Sequence, residues 1–235
     1  MATIQNETLS NVQEQRDTIQ FLGLRPSDKI LIMRNDEGSF VLELAKEGNE
    51  IDLVDSREEV LTALKETLVE RKVANVETQM EDLEHLSFPD NTFDVVIARA
   101  SLRHFNDPER GLMEIHRVLK EYGKLLLYEM SFPASLKSLF ESLSFIVRGE
   151  HAYYWNYNEI LALLRETGFR AKLIRPSEYK SNNFTRRITD PKLLESVREM
   201  LLNLDDEAKQ QLRFEIVDNT CVMWYETYDI LATKL

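Results

Sequence analysis

The side chains best suited to chemistry fall where short apolar runs end. Asp36 or Glu37 follows the run Lys29-Ile30-Leu31-Ile32-Met33, Asp55 closes Ile51-Asp52-Leu53-Val54-Asp55, and Asp82 follows Val76-Glu77-Thr78-Gln79. A carboxylate at the end of a second strand can accept from both hydroxyls of a ribose in charge-assisted hydrogen bonds, so this set suits an adenosine-type ligand. Each has a plainer alternative: Asp55 as a helix-entry charge favoured by the macrodipole, Asp82 as a solvated turn residue. His104, after the fourth run, is a candidate general base near neutral pH or a histidine of the loop scaffold. Its neighbour Arg103 could orient an anionic substrate, and Glu129 follows the fifth run toward the same expected pocket. Tyr153, Tyr154, Trp155 and Tyr157 could wall a substrate pocket, form the core of a lid, or make a dimer contact. The four histidines show no metal-ligand spacing, and Cys221 is the only cysteine, so no metal is expected and no intrachain disulfide is possible. Cys221 beside Val222 and Met223 reads as a buried thiol.

The elements that must position these residues alternate along the chain. A polar helix over 8–21 and a turn at Gly23–Asp28 precede the first strand, Lys29–Met33. Phe40, Val41, Leu44 and Ala45 then share a helical face, and Gly48 takes the left-handed cap position. The strand Ile51–Asp55 runs into Ser56-Arg57-Glu58-Glu59, a capping-box pattern in which Ser56 caps and Glu59 reaches back. Strands follow at 76–79 and 93–98. Asp107-Pro108 opens a helix whose inward positions are Leu112, Ile115 and Leu119, ended by Tyr122-Gly123, and the next strand covers 124–128. Strands alternating with amphipathic helices demand right-handed crossovers: an α/β, doubly wound, mainly parallel sheet of seven strands, with ligands at the carboxyl ends. Beyond Met130, helices over 134–147 and 157–166 flank the aromatic segment and read as a helical cap insertion. Strands at 171–174 and 221–232 enclose a helical stretch over 193–204. The expected organisation is one domain over 1–235: an N-terminal helix (1–25), a cofactor-binding core (26–130), and cap helices with the last two strands (131–235).

Residues Asp82 to Val96, with Leu102-Arg103-His104-Phe105-Asn106-Asp107-Pro108 and Glu114-Ile115-His116-Arg117-Val118-Leu119-Lys120, resemble class I S-adenosylmethionine-dependent methyltransferases of the ubiquinone and menaquinone group. Spacing and order match over about Lys29 to Glu129. The resemblance implies S-adenosylmethionine as cofactor, with Asp55 on the ribose hydroxyls, Asp82 accepting from the adenine amino group and Leu83 against the ring. Arg34, Asp36, Gly38, Ser56 and Arg99 complete the implied cofactor-binding set, while Asp94 and the helix around Arg117 are scaffold. One segment departs from the family. Its members carry an acidic residue two positions before a loop of Gly-X-Gly-X-Gly; here Ile32, Arg34 and Asp36 replace the acid and the first two glycines, and Gly38 alone remains. Such glycines let the backbone pass against a cofactor without an intervening side chain, so Arg34 and Asp36 predict weaker cofactor binding than a glycine loop gives. A second departure is Tyr122, in place of the first residue of a Gly-Gly pair.

Composition bounds the remaining choices. A net charge of −12 over 235 residues argues against a surface that tracks nucleic-acid phosphates. No apolar stretch approaches the roughly 20 residues that span a bilayer, and the N-terminus lacks a signal-peptide pattern, so a cytoplasmic protein acting on a small molecule is expected, with neither nucleic-acid nor membrane partner. Two readings follow: methyl transfer from S-adenosylmethionine to a small-molecule acceptor, or a methyltransferase-like protein that serves as a binding or regulatory partner or carries out a different reaction.

Overall fold

Ile30–Met33 is apolar and buried at all four positions, the mark of a strand covered on both faces. In the computed structural model of the chain it is β1, and the residues described are 2–34, 38–149, 151–181, 188–217 and 220–235. The chain groups into two units: Met1–Tyr128, Leu163–Ile174 and Asp229–Leu235 in the first, Glu129–Ala162 and Arg175–Tyr228 in the second.

In the first unit α1 (Ala2–Leu22) leads to β1, α2 (Gly38–Leu44), β2 (Ile51–Asp55), α3 (Glu58–Glu70), β3 (Val76–Met80), β4 (Phe93–Arg99) and α4 (Pro108–Val118). Strands β5 (Leu119–Ser131), β6 (Phe169–Ser181) and β8 (Thr220–Lys234) begin or end in this unit, and α6 (Tyr157–Glu166) enters it before β6. The sheet order is β3-β2-β1-β4-β5-β8-β6. β1 runs parallel to both β2 and β4, β2 to β3, and β4 to β5. The chain therefore winds outward from β1 to β3, crosses back to β4 and winds the other way, which makes the carboxyl ends of β1 and β4 the switch point where open α/β sheets bind ligands. One cluster holds this frame: Ile19 and Leu22 of α1, Phe40, Val41 and Leu44 of α2, and Leu61, Leu64 and Leu68 of α3 pack with Ile30, Ile32, Leu53, Val95 and Ile97 of the strands.

The mainly parallel, helix-flanked sheet is as the sequence predicts, with three local corrections. α3 begins at Glu58 with Arg57 at its cap, and the Ser56/Glu59 box does not form. Asp55 supplies the turn instead, its Oδ1 accepting from Arg57 N at 3.0 Å, as a short acidic side chain does two residues ahead of a helix. α4 ends at Val118, not at Tyr122-Gly123, because Leu119 already pairs with Phe93 and starts the β5 ladder. Seven strands lie along the sheet path, and an eighth, β7 (Glu215–Val217), pairs antiparallel with β8. The caps at Gly48 (φ 85°) and Asp107, which accepts from Arg110 N, are as expected.

The second unit has its own apolar centre. α5 (Lys137–Arg148), α7 (Pro191–Leu202) and α8 (Asp206–Gln211) contribute Phe140, Leu143, Val197, Leu201 and Ala208, which pack with Phe132, Tyr154, Cys221 and Met223. Phe132 and Phe140 stack at 3.7 Å between ring centroids. Cys221 is buried, as the sequence predicts, and burial pushes its thiol up. Among the described residues no helix is long and apolar enough to cross a membrane.

Candidate functional site

The registers of four strands set the site. Met33 pairs with Val54 on one side and Ala98 on the other, and Arg99 pairs with Tyr128. One residue further along β1, the row at the carboxyl edge therefore reads Asp55, Arg34, Arg99, Tyr128. Arg34 is buried and holds φ at 66°, and its N–H donates to Val54 O at 2.7 Å. Its backbone thus takes the left-handed conformation that glycine favours. Asp36 lies outside the described residues, and Gly38 is the first residue of α2.

Asp55 has no exposed surface. Its Oδ1 accepts from Arg57 Nε at 2.9 Å as well as from Arg57 N, and its Oδ2 accepts from Arg57 Nη2 at 2.8 Å. This fork-on-fork pair is the geometry in which a guanidinium binds a carboxylate most strongly. Ser56 lies between the two residues and is exposed. Arg57 was not legible as a site residue, because a long cation at a helix cap reads as a solvated side chain. The available signal was its spacing of two from Asp55 in place of a capping side chain.

Arg99 packs against two rings, its guanidinium carbon 4.5 Å from the Phe40 centroid and 4.6 Å from that of Tyr128. Such stacking fixes a cation without consuming its hydrogen-bond donors. Phe40 and Tyr128 are the other site residues that sequence reading missed; both read as ordinary core positions. Beyond Arg99, Ala100 N donates to Tyr128 O at 2.7 Å, and buried Ser101 donates from Oγ to Met33 O at 2.9 Å, tying the end of β4 to its neighbours on both sides. The next turn carries Arg103, buried, and His104, half-buried. Four arginines, Arg34, Arg57, Arg99 and Arg103, thus lie at or within a few residues of the ends of β1, β2 and β4 in a protein whose net charge is −12.

Asp82 stands on the turn after β3, where its Oδ1 accepts from Glu84 N at 2.9 Å and its Oδ2 meets His85 Nδ1 at 3.0 Å. The Glu84 amide, then His85, hold its carboxyl below the usual range. Its side chain is largely exposed and Leu83 beside it is buried. The scaffold expectations hold: Asp94 accepts from Lys29 N and Lys120 Nζ, and Arg117 donates to Leu86 O, Phe88 O and Asp90, binding the loop before β4 to α4.

Residues 36–127 match the protein family described as "Methyltransferase domain". That match lies within the first unit. The ubiquinone/menaquinone biosynthesis C-methyltransferase UbiE of Teredinibacter turnerae is 32% identical over 55% of this chain and 55% of its own length. The chain therefore spans about half the length of the curated relatives it matches. A putative methyltransferase from Bacillus halodurans has the same fold, with a TM-score of 0.86 at 20% identity over 94% of this chain and 99% of that one. YcgJ from Bacillus subtilis aligns with a TM-score of 0.83 at 20% identity, over 94% and 98% of the two chains.

Glu129 and the aromatic segment 153–157 lie in the second unit. Glu129 is buried there. The four aromatics assigned to substrate separate: Tyr153 is exposed, and Tyr154 is a core residue whose hydroxyl meets Ser144 Oγ at 2.6 Å. Trp155 is half-buried with Lys137 Nζ 5.6 Å from its ring centroid. Tyr157 stacks on Tyr228 at 4.6 Å and lines a cavity of about 470 Å³, together with Phe132, Asn156, Arg213, Trp224 and Tyr225. Burial and the Glu226 carboxylate push the Tyr228 phenol up to about 12.

Proposed function

We propose that the first unit binds S-adenosylmethionine at the carboxyl edge of β1, β2 and β4 and that the protein transfers a methyl group to a small-molecule acceptor. The observation that carries this reading is Asp55, a carboxylate at the end of β2, one strand from the switch point, with its two oxygens presented to a pair of parallel donors. The vicinal hydroxyls of a ribose are such a pair. At Arg34 the φ of 66° is the left-handed conformation that a glycine favours, which supports this reading. Asp55 and Ser56 would hold the ribose, Asp82 the adenine amino group and Leu83 the ring. Arg34, Asp36 and Gly38 would border the amino-acid end, where the stacked guanidinium of Arg99 offers a fixed cation to a carboxylate. When bound, S-adenosylmethionine supplies an electrophilic methyl group. The chain's own work is alignment and exclusion of water, with His104 as base where the acceptor must lose a proton and Arg103 as the anchor of an anionic acceptor. In the second unit we assign Glu129 and the aromatics Tyr153, Tyr154, Trp155 and Tyr157 to the acceptor, with Tyr157, at a cavity wall, the foremost of them.

Calorimetric titration with S-adenosylmethionine and S-adenosylhomocysteine is the test. Saturable binding is expected, and Asp55→Ala should weaken it by about 1.5–3 kcal/mol, the range for hydrogen bonds to a charged group. A folded chain that binds neither compound sinks the reading. One observation favours a second reading, a methyltransferase-like protein without transferase activity that acts as a binding or regulatory partner or catalyses a different reaction: the carboxylate of Asp55 is already engaged by the chain's own Arg57.

A further inference from the structure

Asp55 offers a bidentate seat and Arg57 fills it. A carboxylate with no exposed surface must find donors inside the protein, and among them here are the Arg57 backbone N–H, Nε and Nη2, at 3.0, 2.9 and 2.8 Å. A guanidinium fork and a vicinal diol present the same pattern, two donors side by side at the spacing of the two carboxylate oxygens. They differ in charge and in tether. The guanidinium is cationic and bound to the same chain two residues away, so it meets Asp55 at a high effective concentration, whereas a ribose must arrive from solution. About a quarter of the Arg57 side chain is exposed, against none for Asp55. The pair is thus closed on the protein side and open to water on the arginine side, the direction in which Arg57 can leave.

We propose that Arg57 is a displaceable plug: it occupies the ribose seat on Asp55, and a nucleoside bearing a vicinal diol binds by exchanging its two hydroxyls for the guanidinium fork. The proposal rests on the reading of Asp55 as the ribose acceptor. It has two consequences. Affinity for the cofactor is set by the difference between two sets of hydrogen bonds to one carboxylate, not by the diol contact alone. The occupied seat also discriminates, because a ligand lacking either hydroxyl cannot replace both bonds of the fork and leaves a buried acceptor short of a donor.

The test is titration of S-adenosylhomocysteine, and of its dideoxyribose analogue, into wild type, Arg57→Ala and Arg57→Lys, with ligand-induced shifts in Tm recorded beside the calorimetry. Removal of the fork should tighten S-adenosylhomocysteine by about tenfold or more, with a larger ligand-induced rise in Tm for Arg57→Ala than for wild type. Arg57→Lys, a single point donor, should fall between the two. The gain should be absent for the dideoxy analogue, which has no diol to place. If Arg57→Ala does not fold, the intermediate gain in Arg57→Lys decides the matter. Binding to wild type that is unchanged or weakened in both variants overturns the plug and leaves the cofactor reading standing. An equal gain for the analogue also overturns it, since the effect would then not act through the diol. Binding to none of the three folded proteins overturns the plug together with the cofactor reading.

Discussion

Arg34 and Tyr122 stand where the resemblance implies glycine, and both take the left-handed conformation that glycine favours, with φ of 66° and 60°. Their surroundings are opposite. Arg34 is buried at the site, so its side chain has contacts that a glycine would forfeit. Tyr122 is 81% exposed. It sits in a bulge at the start of β5, where residues 120–123 stand opposite Asp94 alone between the pairs Phe93↔Leu119 and Val95↔Lys124. The next residue must be glycine, since a Cβ on Gly123 would come within 2.8 Å of Lys120 O. A left-handed conformation costs an ordinary residue about 1–2 kcal/mol, and glycine gives back about 0.5–1 through unfolded-state entropy. Tyr122→Gly should therefore stabilise the protein by about 0.5–1 kcal/mol, read as a higher urea midpoint at unchanged slope. A lower midpoint would show that the exposed ring makes contacts worth more than the backbone strain. The substitution of glycine was visible in the sequence at both positions; that the backbone would keep its turn regardless was not.

At the scale of elements, α4 carries a pH-sensitive contact. His116 packs edge-on to Phe169 with ring centroids 5.4 Å apart, and a Cβ on Gly168 would come within 2.9 Å of its Nε2. Burial, with the Lys234 ammonium nearby, pushes the imidazole below its ordinary value of 6.5. The unfolded chain then binds more protons than the native one, so this group's stability contribution is present above 6.5 and is lost as the pH falls below it. The Glu114 carboxyl, held down first by Arg117, loses its contribution only at lower pH, below its ordinary 4.5. Stability should thus decline between pH 7 and pH 5 in wild type, and the decline should be smaller in His116→Gln, measured by urea denaturation at each pH. An identical slope in the variant would remove His116 as the cause. His116 as a helix-packing residue was readable from its place on α4; its partner, contributed from more than 50 residues away, was not.

For the molecule as a whole, the chain passes between its two units within β5, α6, β6 and β8, and each unit has an apolar cluster of its own. The cluster of the second unit centres on the stacked Phe132 and Phe140, with Tyr154 edge-on to Phe132 at 5.0 Å. Phe140 is fully buried, so Phe140→Ala removes a ring that nothing nearby replaces and should cost about 3–5 kcal/mol in denaturant unfolding. A loss below about 1 kcal/mol would mean that the cluster collapses around the gap or contributes little.

Local pattern alone determined the alternation of strands and helices, the parallel sheet, the caps at Gly48 and Asp107, and the acidic residues at the strand ends. These follow from side-chain periodicity and turn chemistry, which are written within a few residues of each other. Tertiary structure decided what is held across strands. Register set Asp55, Arg34, Arg99 and Tyr128 in one row, and packing laid Phe40 and Tyr128 against one guanidinium. It also made Tyr154 a core residue, one of the alternatives open in the sequence, with its hydroxyl against Ser144. The Asp55–Arg57 pair lies between these cases. Its residues are two apart, yet only the burial of Asp55 makes that short-range pair matter, since a buried carboxylate must be satisfied by donors that the fold brings near.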